Sequence, residues 1–580
     1  YYFIPLIIAS FLMAVDAIQG GDAFPLIKEL PFWDKIKRKN YVTAYQLNIL
    51  KDITVVALWL LTLIASGIMI LSTLTPELPE RIHFIEDIIP VPFLQFSNGA
   101  TLLSGLILLA LSDGIKLRIK KAYYASIGVL VAGGLFNLIK GFNFEELIIF
   151  TAVLVVLKYS KDKFYRNSIP RNWWKLLKQT VISQFVVVLY MLSGQSQPFS
   201  FYRLHRGAGL LYQTPSDYFN NGIAIGILIQ ILIVIWFFLQ NGRRPWNQQS
   251  RSEIFETLER YTKGARGNAL THLIYSGDKY LYETADGLAL FAFKPFKDKL
   301  VVLGDPLGKL DAMTDYLEEF RRYADLYGYI PVFYQASQEN LTKYHEIGYT
   351  FFKLGEEAYV SLDGFDPGDK KYKAFRNTKN RMEREGWRFD ISEPVHEEKV
   401  LNELEELSME WLGHRREKGF SLGRFDRKYL NRSPIALLRG DSGKIAAFAS
   451  LMPMYDGGEA LSVDLMRLSK DAPNGSMDYL FMNLIQWSKE RGYSYFNLGM
   501  APLSNVGESQ YALKEEKAAR QVFSYGGAFY NFKGLRRYKE KFHPEWHPKY
   551  LAYPKQLRIT PLLLDISIMI SSSYKSKIKD

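Results

Sequence analysis

The chain has 580 residues, a formal net charge of +12 and no cysteine. That length exceeds one hydrophobic core and calls for several domains. The lack of cysteine excludes disulfides, iron–sulfur clusters, thiol catalysis and cysteine-rich zinc sites, and the charge favours anionic partners, nucleic acid or acidic lipid.

Apolar runs recur up to about Gln240. The clearest are Ile53–Leu74, Ala122–Ile139, Val181–Leu192 with its flanks, and Gly222–Leu239; weaker ones are Tyr1–Val15, Thr101–Leu111 and Leu147–Leu157. A spanning helix needs roughly 20 mostly apolar residues, so about seven spans are expected, with the short runs alternatively re-entrant or buried. The chain enters the first run at Tyr1 without a basic segment or cleavage site, which reads as a start inside a membrane segment and not as a signal peptide.

The loops carry a charge bias. Asp16–Asp52, Ser112–Lys121, Lys158–Lys178 and the chain from Asn241 hold most cations, whereas the opposite loops hold only Arg81, Lys140, Arg203 and Arg206. The bias is about fivefold and of one sign, which places everything after Arg243 in the cytoplasm. Trp173 and Trp174 beside Lys175 suit an interfacial belt. The spans offer no pair of ionisable groups that would mark an ion path.

From Ser250 the pattern becomes α/β. A helix Arg251–Gly264 is followed by strands Leu270–Ile274, Lys279–Thr284, Gly287–Lys294 and Lys299–Gly304, helix Asp311–Tyr327, strand Ile330–Gln335, helix Gln338–Ile347, and strands Thr350–Leu354 and Glu357–Leu362. After a break the order repeats: helix Phe375–Glu385, strand Trp387–Ser392, helix Glu397–Arg416, strands Ile435–Arg439, Ile445–Pro453 and Gly458–Met466, helix Met477–Arg491, strand Tyr495–Leu498 and helix Ser509–Ala518. Two such successions predict a duplicated domain in the order of the GNAT acyltransferase fold.

Several motifs stand out. Gly304–Gly308 reads as a structural turn before a helix. Lys370, Lys371, Lys373, Arg376, Lys379, Arg381 and Arg384 suit an RNA or membrane footprint and a solvated helix equally. In the segment Ser462–Arg467, strand alternation places Asp464 with Met466 and Leu465 with Arg467; a carboxylate there binds an ammonium group or pairs with Arg467 around the strand end. Asp471–Ser476 opens a helix and offers free N–H groups to an anion, but lacks the glycine pattern for coenzyme A, leaving room for another phosphate donor. Glu515 and Glu516 lie on a charged helix. His543 and His547 are separated by Pro544, which argues against a metal pair. The stretch Phe523–Pro554 sets Lys533, Arg536, Arg537, Lys539 and Lys541 among aromatic residues, the mix that suits an RNA end or a lipid headgroup. Ile559–Ile570 is too short to span and lies at an interface or packs on the domain.

The segments LGEEAYVSL, FSLGRFD, DLMR, GSMDYLF, LGMAPLSNVG and YNFKGLRRYKEKFHPEWHPKYLAYP together resemble the multiple peptide resistance factor family of bacterial phosphatidylglycerol lysyltransferases and their alanyl relatives, over about Ser250 to Pro554. The resemblance implies a multi-span helical membrane domain over residues 1–240 lacking the first flippase helices, a first GNAT-like domain over 250–364, a second and catalytic one over 365–555, and a tail over 556–580. It implies transfer of an aminoacyl group, lysyl foremost, from aminoacyl-tRNA to phosphatidylglycerol in the bacterial cytoplasmic membrane. The cationic product would lower surface charge and confer resistance to cationic antimicrobial peptides. It implies Asp464, Arg467, Glu515, Lys533 and Arg536 as the active-site set, tRNA and phosphatidylglycerol as partners, and neither cofactor nor metal; it leaves a homo-oligomer open. The competing readings are an alanyl transferase, a FemX-like transferase acting on a peptidoglycan precursor, and a flippase or membrane sensor whose second half only binds.

Overall fold

The computed structural model describes residues 44–75, 90–141, 143–193, 215–240, 242, 244–264, 267–525, 532–572 and 578. The chain divides into two compact units, the first essentially residues 1–243 and the second the remainder. Each is described by itself.

The first unit is helical: α1 (Ala44–Leu74), α2 (Val91–Lys116), α3 (Lys120–Gly141), α4 (Phe144–Tyr159), α5 (Trp173–Ser193) and α6 (Pro215–Leu239). Among the described residues, five helices are long and apolar enough to cross a membrane, namely Thr54–Leu74, Phe96–Lys116, Lys120–Lys140, Trp173–Ser193 and Tyr218–Leu239. Two of the seven expected runs are not among these five. Tyr1–Val15 lies outside the described residues. Leu147–Leu157 sits on the 16-residue α4, which is shorter than the other five but still returns the chain to the start of α3, where Lys120 N donates to Arg166 O at 3.0 Å. The exposed surface is apolar, with Leu71, Phe185, Ile227 and Ile235 facing outward. Polar groups turn inward and bond each other: Ser66 Oγ donates to Gly105 O at 2.8 Å, and Gln230 Nε2 to Thr180 Oγ1 at 2.9 Å. This is the polarity a helix bundle needs in a solvent that cannot hydrogen-bond. Lys140, expected in a loop, closes α3 as a buried residue and donates to Ser72. Trp173 and Trp174 are exposed at the start of α5.

The second unit begins with α7 (Arg251–Thr262), fixed by a capping box between Ser250 and Glu253. Its remaining elements build one twelve-stranded sheet. In chain order these are β1 (Tyr280–Glu283), β2 (Ala289–Phe296), β3 (Lys299–Leu303), β4 (Leu307–Gly308), α8 (Met313–Leu326), β5 (Ile330–Ser337), α9 (Leu341–Glu346) and β6 (Tyr349–Ser361). Then come α10 (Lys373–Arg384), β7 (Arg388–Ser392), α11 (Glu398–Leu412), α12 (Arg427–Leu430), β8 (Ile435–Arg439), β9 (Ile445–Pro453), β10 (Ala460–Leu468), α13 (Ser476–Glu490) and β11 (Tyr495–Pro502). The chain closes with α14 (Lys514–Tyr525), α15 (Phe532–Glu540), β12 (Glu545–Pro554) and α16 (Ile559–Ser571).

The GNAT-like order occurs twice. An antiparallel meander leads through a helix to a strand parallel to the meander's last: β3 to β5 through α8, and β10 to β11 through α13. The final strand of each half then crosses to the other. β6 pairs with β11 and β12 pairs with β5, while β6 and β12 pair with one another from Tyr349↔Pro554 to Tyr359↔Glu545. This reciprocal exchange makes the sheet continuous, in the order β1-β2-β3-β5-β12-β6-β11-β10-β9-β8-β7.

Three sequence expectations differ. Leu270–Ile274 is not a strand but part of a buried 3-10 turn, Thr271–Ser276, because Asn268 Oδ1 accepts from Leu270 N and Thr271 Oγ1 from Asn268 N. The two strands expected between Thr350 and Leu362 are one, β6, running through Gly355 and two buried glutamates. Gly355 (φ 147°) passes so close to β11 that a Cβ would stand 2.3 Å from Ala501 O. The helix expected to reach Arg416 ends at Gly413 (φ 55°), which frees Gly413–Asp426 as a loop. The Gly304–Gly308 turn is structural, with Asp305 accepting from Ser337 N, Asn340 Nδ2 and Tyr344 OH.

Candidate active site

β10 and β11 hydrogen-bond in parallel only over Ala460–Ser462 and Tyr495–Asn497. Just beyond, both slip register against their outer neighbours, β10 between Val463 and Met466 and β11 between Asn497 and Met500. Two adjacent bulges part the strands at one level. Bulges re-aim side chains, and this one changes the faces read from the sequence. Val463 lies opposite Leu451 and Met466 opposite Ala449, so both share a face; Asp464 and Leu465 lie opposite Ser450 and Arg467 opposite Phe448. Asp464 and Arg467 therefore share the other face, where strict alternation would separate them.

Asp464 is half-buried at the opening. Its Oδ1 accepts from Gly423 N at 2.8 Å and its Oδ2 from the buried Tyr429 OH at 2.7 Å. A side chain at 423 would displace the carboxylate, since a Cβ would stand 1.5 Å from Asp464 Oδ2. Burial pushes the Asp464 carboxyl above the ordinary range, against the hydrogen bonds from Tyr429 and Gly423. Burial and the adjacent carboxylate likewise push the Tyr429 phenol well up, so it stays a donor.

The nearby cations are already paired. Arg467 does not pair with Asp464 as one reading of the sequence had it. Its guanidinium meets Glu417 at 3.2 Å, Ser408 Oγ at 3.4 Å and the Trp411 ring at 4.1 Å, because α11 covers that face of β10. The fully buried Lys279 pairs with Asp278, which also takes Lys294 (3.4 Å) and Phe420 N (2.9 Å). Asp464 is thus held by neutral donors, and among the described residues no ion pair joins it. A half-buried carboxylate in that state is suited to receive an ammonium group.

The other expected site residues lie on α14 and α15. Glu515 is exposed in the first turn of α14, where an acid suits the helix dipole. Lys533 is exposed on α15. Arg536 is half-buried and multiply bonded: Glu356 at 2.5 Å, Glu540 at 2.9 Å, Ser504, and the Trp546 ring at 4.3 Å. Burial opposes its charge, but the bonds to Glu356 and Glu540 raise the guanidinium above its ordinary value. Among the described residues no hydrogen bond or ion pair joins Glu515, Lys533 or Arg536 to Asp464 or Arg467. The structure brings the expected residues into two sets, one on β10 and one on α14–α15.

α15 meets β11 through a residue the sequence reading did not single out for a role. Lys539 is buried and donates to Gly499 O (2.8 Å) and Met500 O (2.9 Å), at the β11 bulge. Burial pulls its ammonium down to about 7, partly offset by Glu357. The reading also missed Tyr429 and Glu417, although Gly423 stands inside the quoted FSLGRFD segment. Of the basic helix α10, Arg376 and Arg381 hold backbone carbonyls of Pro367, Asp369 and Asn474, which argues for a structural share in that charge run. Gly475, at the α13 start, packs on Thr378 of α10. At the other end of β10 and β11 a cleft of about 760 Å³ opens among Tyr359, Tyr495, Asp456, Glu459, His547 and Lys549.

Residues 258–553 match the family model described as phosphatidylglycerol lysyltransferase, C-terminal. A phosphatidylglycerol lysyltransferase of Bacillus subtilis is 36% identical over 591 residues, covering 100% of this chain and 67% of that protein. Its namesake in Staphylococcus epidermidis is 33% identical over 578 residues, covering 98% and 66%. The chain thus spans about two thirds of the length of the curated relatives it matches. Among solved structures, the C-terminal domain of a provisionally named lysylphosphatidylglycerol synthetase from Agrobacterium fabrum is 36% identical with a TM-score of 0.51, covering 56% of this chain and 100% of that one.

Proposed function

The chain belongs to the phosphatidylglycerol lysyltransferase family, and from that premise we propose that it transfers an aminoacyl group, lysyl foremost, from aminoacyl-tRNA to a glycerol hydroxyl of phosphatidylglycerol. The observation that carries the reading is Asp464: a half-buried carboxylate at the parting of β10 and β11, oriented by Tyr429 and Gly423 and, among the described residues, in no ion pair.

The chemistry needs little beyond positioning. The aminoacyl ester is already activated. The lipid hydroxyl attacks the ester carbonyl, a tetrahedral oxyanion forms, and the ribose oxygen leaves with the proton the attacking hydroxyl gives up. Asp464 holds an ammonium of the donor amino acid. Lys533 holds lipid phosphate or tRNA phosphate, Arg467 and Arg536 add positive charge toward those groups or the oxyanion from within their ion pairs with Glu417 and Glu356, and Glu515 is an acid able to relay the proton. Gly423 and Tyr429 are positioning residues, acting through Asp464.

An α-ammonium would satisfy Asp464 as well as a lysine ε-ammonium, so an alanyl donor is the second reading. The charge bias of the loops supports a bacterial cytoplasmic membrane location with the second unit in the cytoplasm. The cationic product would reduce the surface charge that attracts cationic peptides. Membranes holding the full chain, supplied separately with lysyl- and alanyl-tRNA, should yield lysyl-phosphatidylglycerol from the first. A product only from the second would move the assignment to the alanyl relatives, and no labelled lipid from either would defeat the transferase reading.

A further inference from the structure

α16 is turned the wrong way for a helix that meets water. Its buried face is Ile559, Leu562, Asp565, Ile566 and Met569. Its one charged residue, Asp565, thus points inward, where Lys297 Nζ (2.6 Å) and Lys299 Nζ (3.2 Å) pair with it. The outward face is Thr560, Pro561, Leu564, Ser567, Ile568 and Ser571, without a charge. Leu564 is 61% and Ile568 46% exposed. A surface helix ordinarily carries its charges outward.

Cations border this face. Lys555 and Arg558 are exposed just before the helix. Lys297 flanks it with its side chain 58% exposed. At the far end Gly419 N donates to Ile570 O (3.1 Å), so the loop freed at Gly413 abuts the helix. That loop exposes Arg415, Arg416, Lys418 and Leu422, and its nearby acid, Glu417, is taken by Arg467. Four residues after Gly419, Gly423 holds Asp464.

An uncharged, partly apolar helix face bordered by cations fits the headgroup layer of an anionic bilayer, and among the described residues five helices are long and apolar enough to cross one. We propose that the outward face of α16 and the loop Gly413–Gly423 dock on the surface of an anionic bilayer and form the side from which lipid approaches Asp464. The approach of lipid rests on the transferase reading; the docking does not.

The absence of cysteine allows a clean test. Single variants Leu564→Cys, Ile568→Cys and, as a control on the β7–α11 connection, Val395→Cys are labelled with a small fluorophore in the full chain, reconstituted in nanodiscs of phosphatidylglycerol with or without brominated acyl chains. Quenching at 564 and 568 should exceed that at 395 by about twofold or more and should weaken in zwitterionic discs. Equal quenching at all three positions overturns the docking. So does protection that ignores bromine and grows with the number of chains per disc, the mark of a second copy on this face. The double variant Leu564→Glu/Ile568→Glu should transfer about tenfold more slowly into bilayers while keeping its rate on detergent-dispersed short-chain phosphatidylglycerol; an unchanged bilayer rate, or equal slowing on both lipids, overturns the approach route. If the unmodified chain labels neither lipid, the transferase reading fails and the quenching result stands by itself.

Discussion

Asp464 and its phenol partner set the pH behaviour to expect. Tyr429 OH donates to the carboxylate and favours its charged form, against burial, which raises its pKa. Tyr429→Phe removes that donor, so the Asp464 pKa climbs further and the acid limb of the transfer rate moves to higher pH. A pH–rate profile checks this, and an unmoved limb would mean Asp464 is not the titrating group. The cations of α15 separate into two kinds. Lys533→Ala should abolish transfer without changing thermal stability, since the side chain is exposed. Arg536→Ala should also lose transfer, but it strips a partner from the buried Glu356 and should cost roughly 1–3 kcal/mol of stability. Full activity of both variants would sink their assignment to the site. Lys539 adds a linkage effect. Its folded pKa, about 7, lies below the ordinary 10.5, so between these values the unfolded chain binds more protons and stability rises with pH. Denaturation midpoints from about pH 7 to about pH 9 should climb more steeply for the native chain than for Lys539→Met.

At the level of elements, the exchange of β6 and β12 is the feature with most consequence. β12 is the last strand among the described residues, yet it lies between β5 and β6. Leu551 on β12 is fully buried with Val332, Phe352 and Leu354 from the first half. Leu551→Ala should therefore cost about 2–5 kcal/mol and lower the protection of β5 and β6 together in hydrogen exchange. Loss confined to β12 would show that the exchange does not couple the halves. The Gly413–Asp426 loop matters similarly. The helical pattern of α11 runs past Leu412, but Gly413 ends it, and the freed loop delivers both Gly423 and the edge of the α16 face.

For the whole molecule, both proposed substrates are anionic and the chain carries +12. Transfer should fall steeply as monovalent salt is raised, by about tenfold or more between roughly 50 and 200 mM if several tRNA phosphates are held. A flat salt dependence would mean that the basic segments are structural. The first unit presents an apolar exterior around an apolar core that also holds bonded polar groups, and the second a continuous sheet built from two similar halves, so the chain combines a membrane anchor with an α/β unit.

The sequence by itself determined the two-part organisation, because hydrophobic run length and the switch of period at Ser250 are local properties. It also placed most helices and strands and, through resemblance, directed attention to Asp464 and Arg467. Tertiary structure decided the rest. Local alternation cannot register a bulge set by Ser450 across the sheet, so Arg467 was given the wrong face. Gly355 and Glu356 read as a strand break, but Lys353 and Arg536 pair Glu356 within one continuous strand, as Lys549 pairs Glu357. Tyr429 and Glu417 carry no signal of their own, since their partners stand 35 and 50 residues away. An element's period reports which face is apolar; only the assembled sheet determines what each polar group finds there.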